Sequence, residues 1–198
     1  MKKNPVEVYD NFLPSDKFVD LAQSTIHNFQ YIPMEATANA NEGDGSLWKM
    51  GEPLDKSKPI HEHMFQAIPY VRLQFGQIET SPYYQLCPEL FTPIYEGLNI
   101  SKLWQIRINI TTGQPENYVG SYHNDYAMPY FLENTKVAIL YLNTNNGGTK
   151  FKETGQIVQS KANRLVKFPM DVWHAGVWCT DAKMRVVMNI CYEEKDGE

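Results

Sequence analysis

The hydrophobic pattern changes character about halfway along the chain. From residue 103, "LWQIRINI" alternates strictly, with Trp104, Ile106, Ile108 and Ile110 on one face and Gln105, Arg107 and Asn109 on the other. Period two is the signature of a strand. "KVAILYLN" is β-rich and mostly apolar, and "GGTKF", "QIVQS", "NRLVKF", "HAGVW" and "MRVVMNICY" follow as short runs broken by Asn, Gly, Pro or Asp. Short strands at such spacing predict an all-β sandwich or barrel, not alternating βαβ units.

The first half reads differently. Val6 to Tyr9 alternate as a short strand, and Phe18, Leu21, Ala22 and Ile26 recur at helical spacing behind Ser15, a candidate N-cap. Residues 33–59 are polar and aperiodic, rich in Gly and Pro, and predict a long loop. "IHEHMFQAIPYVRLQF" predicts a helix stopped near Pro69 and then a strand, followed by a stretch punctuated by Pro82, Pro88 and Pro93. The acidic tail "EEKDGE" is expected to fray. A single domain over 1–198 is expected, with a strand-helix arm to about residue 100 and a β core over about 103–192.

Composition narrows the classes. The chain has 198 residues, 42% hydrophobic and 21% charged, as in an ordinary globular protein. Its net charge of -5 argues against polyanionic partners such as nucleic acid. Lys150, Lys152, Lys161, Arg164 and Lys167 form a modest basic cluster, expected as a solvated face. No apolar run reaches membrane-span length, and "MKKNPVEVYDNF" has no apolar segment behind its lysines, so neither a span nor a secretory signal is expected. Cys87, Cys179 and Cys191 are odd in number and lack CxxC spacing, which suits a reducing, cytoplasmic location.

The chemistry concentrates in "SYHNDY". His123 and Asp125 sit two residues apart, and on a strand that spacing points both side chains to one face. An imidazole and a carboxylate suit a divalent iron or manganese ion. A second histidine would complete the two-histidine, one-carboxylate face of non-haem iron oxygenases, with open positions left over. His174 in "VWHAGVW" is the candidate. An open ferrous site needs electrons, which an oxoacid co-substrate can supply. Arg185, heading "RVVMNICY", offers the donor fork that matches its far carboxylate, and Tyr141 in "ILYLN" offers a hydroxyl. Gly147 and Gly148 predict a tight turn into the next strand. Plainer readings compete. His174 could be a satisfied core histidine among Trp173, Val177 and Trp178, Arg185 could pair at the surface with Asp181, and Tyr141 could simply pack. His61 and His63 in "HEH" diverge on a helix and read as surface.

His123-x-Asp125, "ILYLN…GGTKF", "NRLVKFP…WHAG" and Arg185 stand in order, with 51 residues from His123 to His174 and 11 more to Arg185. Together they resemble the double-stranded β-helix core of Fe(II)/2-oxoglutarate-dependent dioxygenases, nearest the prolyl-4-hydroxylase-like branch. The opening strand, "DNFLP" and the helix also resemble the N-terminal arm of small members. The resemblance implies a mainly β jelly roll with flanking helices, forming one dioxygenase domain. It implies His123, Asp125 and His174 as the iron ligands at the catalytic centre, Arg185 as the grip on the distal carboxylate of 2-oxoglutarate, and Tyr141 as its assistant. The implied cofactors are Fe(II), 2-oxoglutarate as co-substrate and dioxygen, with ascorbate as an optional reductant.

The implied reaction couples oxidative decarboxylation of 2-oxoglutarate to hydroxylation of a small-molecule or peptide substrate, such as a peptidyl or free amino acid. Two positions depart from the family pattern. Val187 stands where many members carry Ser, and the exit of the first core strand offers Asn109 or Thr111 in place of a tyrosine. The alternative is a non-catalytic or 2-oxoglutarate-independent, cupin-like metal-binding module. An alkylated-base repair enzyme ranks below both, because "RVVMNICY" lacks a second arginine. The loops at 33–59 and 111–122 are candidate lids. The substrate and the oligomeric state are not legible in the sequence.

Overall fold

The structure is a computed structural model that describes residues 5–33, 50–51, 64–72, 76–125 and 134–195. Two antiparallel sheets dominate. The larger follows the order β1 (Glu7–Tyr9), β11 (Arg164–Pro169), β8 (Thr135–Tyr141), β13 (Met184–Glu194), β6 (Ile100–Thr112), β4 (Met64–Arg72) and β2 (Ile32–Pro33), with β5 (Ile78–Thr80) paired to β4. The smaller runs β10 (Ile157–Gln159), β9 (Gly148–Phe151), β12 (His174–Val177), β7 (His123–Asn124) and β3 (Met50–Gly51). Face-to-face antiparallel sheets of this kind form the sandwich that the strand pattern predicts and the jelly roll that the family resemblance implies.

Side-chain alternation sorts the large sheet's two faces. Ile106 and Ile108 on β6, with Val186, Met188, Ile190 and Tyr192 on β13, turn outward. They pack with Leu21 and Ala22 of α1 (Ser15–Asn28) and with Phe91, Ile94 and Leu98. The intervening residues turn inward. Val137, Ile139 and Tyr141 of β8, Val166 and Phe168 of β11 and Val187 of β13 meet Phe151 and Val158 of the small sheet. Inward-facing β6 is different: Gln105, Arg107, Asn109 and Thr111 are all buried and all polar. That row has a consequence for the site below.

Several local expectations are corrected. Residues 64–68 are strand, not helix, because β4 runs through Pro69 and pairs with β6 from Met64↔Thr111 to Val71↔Gln105. The register shifts between Ala67 and Tyr70, where Pro69, lacking an N–H, is tolerated. Ser15 is the first residue of α1, not its cap; Pro14 holds the cap position without a capping side-chain bond. The proline-punctuated stretch is helical. Pro82 opens α2 (Pro82–Leu86), where the Ser81 hydroxyl accepts from the Tyr84 amide at 3.2 Å. Pro88 opens a 3₁₀ turn (Pro88–Phe91), and Pro93 lies in the first turn of α3 (Thr92–Gly97).

The N-terminal arm is tied down at Asn163. This residue holds a left-handed backbone at φ 61° and exchanges two side-chain hydrogen bonds with Leu13: Leu13 N donates to Oδ1 at 2.9 Å and Nδ2 donates to Leu13 O at 2.8 Å. Three members of the basic cluster are ion-paired. Lys161 and Arg164 both meet Asp10, at 3.0 and 2.6 Å, and Lys167 lies 2.9 Å from Glu194. They do not form an open basic patch. The three cysteines are free thiols, Cys179 and Cys191 being buried. No helix among the described residues is long and apolar enough to cross a membrane. The loop expected at 33–59 and the "HEH" at 61–63 lie almost entirely outside the described residues.

Candidate active site

Strands β7 and β12 are neighbours in the small sheet, and their register puts His123 directly opposite His174. The two imidazole centroids are 4.5 Å apart. Asp125 lies one residue past the end of β7, its amide donating to Met170 O at 3.2 Å, and its Oδ2 stands 3.6 Å from His174 Nε2. Residues 51 positions apart in sequence are therefore brought together by strand pairing.

Each imidazole is oriented by its own backbone. His123 Nδ1 lies 3.2 Å from Ser121 O, and His174 Nδ1 lies 3.0 Å from Val172 O. A carbonyl oxygen can only accept, so Nδ1 carries a hydrogen, and Nε2 is the nitrogen left to take a metal. Phe168 packs edge-on to His174 at 4.8 Å between centroids, fixing the ring plane, and His174 is buried. The plain core-histidine reading accounts for the burial. It does not account for a second imidazole set directly opposite across the strands and a carboxylate 3.6 Å from Nε2.

No trio of His, Cys, Asp or Glu among the described residues is closed tightly enough to hold a metal ion as it stands. The donor set nonetheless has the right chemistry for Fe(II) or Mn(II): two imidazoles on adjacent strands and one carboxylate just past the end of one of them.

Arg185 is buried near the start of β13. Its Nε donates to Ser160 Oγ at 3.2 Å, Nη2 reaches Thr149 Oγ1 at 3.4 Å, and the guanidinium lies 5.6 Å from the centre of the Tyr141 ring. Surface pairing with Asp181 does not occur, since that carboxylate accepts from the Asn146 amide. Burial pushes the Arg185 pKa down while Tyr141 opposes the shift. The Tyr141 hydroxyl lies 2.8 Å from Thr149 Oγ1 and 3.1 Å from Val158 O, and burial raises its pKa. Gly147 makes room for the arginine: a Cβ there would sit 2.6 Å from Val177 O and 3.1 Å from Arg185 Cδ. Thr149 pairs with Gly176, two residues along β12 from His174. Arg185 thus reaches a point about 7 Å along the strand from the imidazole pair.

Sequence reasoning placed Arg107 only on the polar face of its strand. The structure buries that guanidinium at 7% exposure, with Nη2 bonded to Gln105 Oε1 at 3.0 Å and Nε without a partner. Desolvation lowers its pKa, and the charge of Asp125 opposes this. Ser160 and Thr149, which hold Arg185, also went unassigned. The sequence signal for Arg107 stopped at its place on the face opposite the isoleucines, since a central antiparallel strand can leave that face to water.

No family model matches the chain, and no curated protein matches it. Solved structures do. A Pseudomonas putida prolyl-4-hydroxylase aligns with 98% of this chain and 94% of its own at 16% identity, with a TM-score of 0.50. A Trichoplax adhaerens prolyl hydroxylase, solved with a hypoxia-inducible-factor oxygen degradation domain peptide, aligns over 97% and 84% at 14% identity, with a TM-score of 0.54. SnoN, an α-ketoglutarate-dependent non-haem epimerase from nogalamycin biosynthesis, aligns over 98% and 79% at 10% identity, with a TM-score of 0.57. The chain therefore has the jelly-roll fold of the 2-oxoglutarate- and Fe(II)-dependent oxygenases.

Proposed function

We propose that this protein is an Fe(II)- and 2-oxoglutarate-dependent oxygenase that hydroxylates a small-molecule or peptide substrate. The observation that carries the reading is the pairing of His123 with His174 across β7 and β12, each Nδ1 tied to a carbonyl, with Asp125 beside them. His123, Asp125 and His174 are the groups that would hold the metal. Bound iron with 2-oxoglutarate and dioxygen supplies the oxidising power to functionalise a C–H bond. The chain's own contribution is positional. The two carbonyls hold each ring by its Nδ1 and aim the opposite nitrogen. Arg185 offers a dry, positive socket for a carboxylate, and Thr149 and Ser160 hold its fork in place. The distance of about 7 Å between that socket and the imidazole pair along β12 suits a five-carbon dicarboxylate bridging the two. Tyr141 stiffens the socket by donating to Thr149 Oγ1, the oxygen that also accepts from Arg185.

The test is succinate release from 2-oxoglutarate by the purified protein with Fe(II) and ascorbate. Turnover above a metal-free control supports the reading. Tight metal binding with neither succinate release nor affinity for N-oxalylglycine overturns it in favour of a non-catalytic metal-binding module.

A further inference from the structure

The inner face of β6 carries a buried guanidinium, that of Arg107, whose Nε meets no hydrogen-bond acceptor among the described residues. Arg107 stands opposite Asn189 of β13 in the register, and the two side chains share the inward face. Arg107 Nε has no acceptor, and buried Asn189 Oδ1 has no donor, although their backbones are paired. Leaving a buried charged donor and a buried carbonyl unsatisfied is unfavourable. A polar ligand that accepts from the one and donates to the other would satisfy both. The wall around it is built for the same purpose: Gln105 steadies Arg107 at 3.0 Å, and Gln66 Nε2 donates to Asn109 Oδ1 at 2.8 Å.

Charge points to the ligand's sign. Among the described residues Asp125 is the acidic side chain whose charge reaches Arg107. A divalent metal on Asp125 would claim that charge. With two guanidinium groups, the metal, Asp125 and a dianionic co-substrate all counted, one positive charge remains. Arg185 is spoken for by its own surroundings, Tyr141, Thr149 and Ser160. Arg185 pairs with Thr111, four residues along β6 from Arg107, so the two cations are about 13 Å apart at the backbone and serve different groups.

We propose that Arg107 is the anchor for a carboxylate of the primary substrate. The substrate class is a small free carboxylic acid with a hydrogen-bond donor beside the carboxylate, as in a 2-hydroxy or 2-amino acid. This rests on the oxygenase reading above and narrows it. A residue inside a peptide lacks the free carboxylate that Arg107 requires.

The probe is glycolate, with the neutral glycolamide as control, added to protein saturated with Mn(II) and N-oxalylglycine. Paramagnetic relaxation of the probe's methylene protons reads proximity to the metal without any turnover. Saturable relaxation by glycolate, absent with glycolamide, is expected. Arg107→Gln should weaken glycolate by at least about tenfold, the loss of a charge-assisted contact, and shift N-oxalylglycine affinity by less than about twofold. Arg107→Lys should recover part of the glycolate affinity. If Mn(II) and N-oxalylglycine bind but glycolate does not, or glycolamide binds equally well, the substrate assignment is wrong and the oxygenase reading stands. If Arg107→Gln instead weakens N-oxalylglycine, Arg107 serves the co-substrate and the proposal is overturned. If the wild type takes neither Mn(II) nor N-oxalylglycine, both readings fall. Should the variant fold poorly, the glycolate and glycolamide contrast on the wild type still decides.

Discussion

His174 and Arg185 occupy buried positions at opposite ends of one argument, and their substitutions should separate cleanly. His174→Ala removes a nitrogen donor whose partner Nδ1 bond exists only to aim it. Loss of measurable Mn(II) binding in calorimetry is expected. Arg185→Gln leaves His123, Asp125 and His174 untouched, so metal affinity should persist while the 2-oxoglutarate requirement rises by roughly 10- to 100-fold, the scale of one charge-assisted bond. Thr149→Val removes the hydroxyl shared by Tyr141 and Arg185 at nearly constant shape, and a smaller rise of about fivefold should follow. Steady-state kinetics in 2-oxoglutarate check both. At this scale the sequence was unevenly informative. His-x-Asp, a later His and a later Arg are legible because their order and spacing survive in one dimension. Arg107 was not, because alternation shows that a residue faces away from the isoleucines but not that a second sheet covers that face.

Elements were legible where their pairing is local or their pattern is strong. Strands β6, β8, β9, β10, β11, β12 and β13 follow the alternating and apolar runs closely. The segment before Pro69 misled, since its apolar spacing fits a helix and only β6, more than thirty residues on, makes it a strand. The short helices opened by proline were hidden by the same residue type that usually marks loops. Asn163 is the element-scale feature with the sharpest consequence. It joins the turn before β11 to the N-terminal arm through Leu13, in a backbone conformation that alanine resists. Asn163→Ala should lower stability by about 2–4 kcal/mol in urea unfolding, through two lost buried bonds and the left-handed penalty. Asn163→Gly removes the bonds but keeps the conformation, so its loss should be smaller.

The whole molecule is pinned along one edge by charge. Glu7, Asp10 and Glu194 bind the first strand, β11 and the end of β13 through Lys167, Lys161, Arg164 and Lys136. The pKa of Glu7 is held down chiefly by the Tyr9 hydroxyl and that of Asp10 chiefly by Arg164. Burial alone would raise the pKa of Glu194, but its lysine partners outweigh this and hold it down. A carboxylate with a depressed folded pKa gives stability that is complete above its ordinary value, 4.5 for a glutamate, and is lost as pH falls through the folded value. Thermal melting should therefore be flat from neutral pH down to about 4.5 and fall below it. The decline should be weaker in high salt, where these exposed pairs are already screened.

The pairing of His123 with His174 has a mechanical corollary. Strand β7 is two residues long and contacts its neighbours over very little backbone, so little holds it in place on its own. An ion gripping both rings would act as a clasp across the seam and lock the two strands in step. Amide exchange around residues 121–125 should slow sharply when the clasp closes, while the long β6–β13 ladder stays as it was. One of the shortest strands of the jelly roll would then owe its order to its cargo.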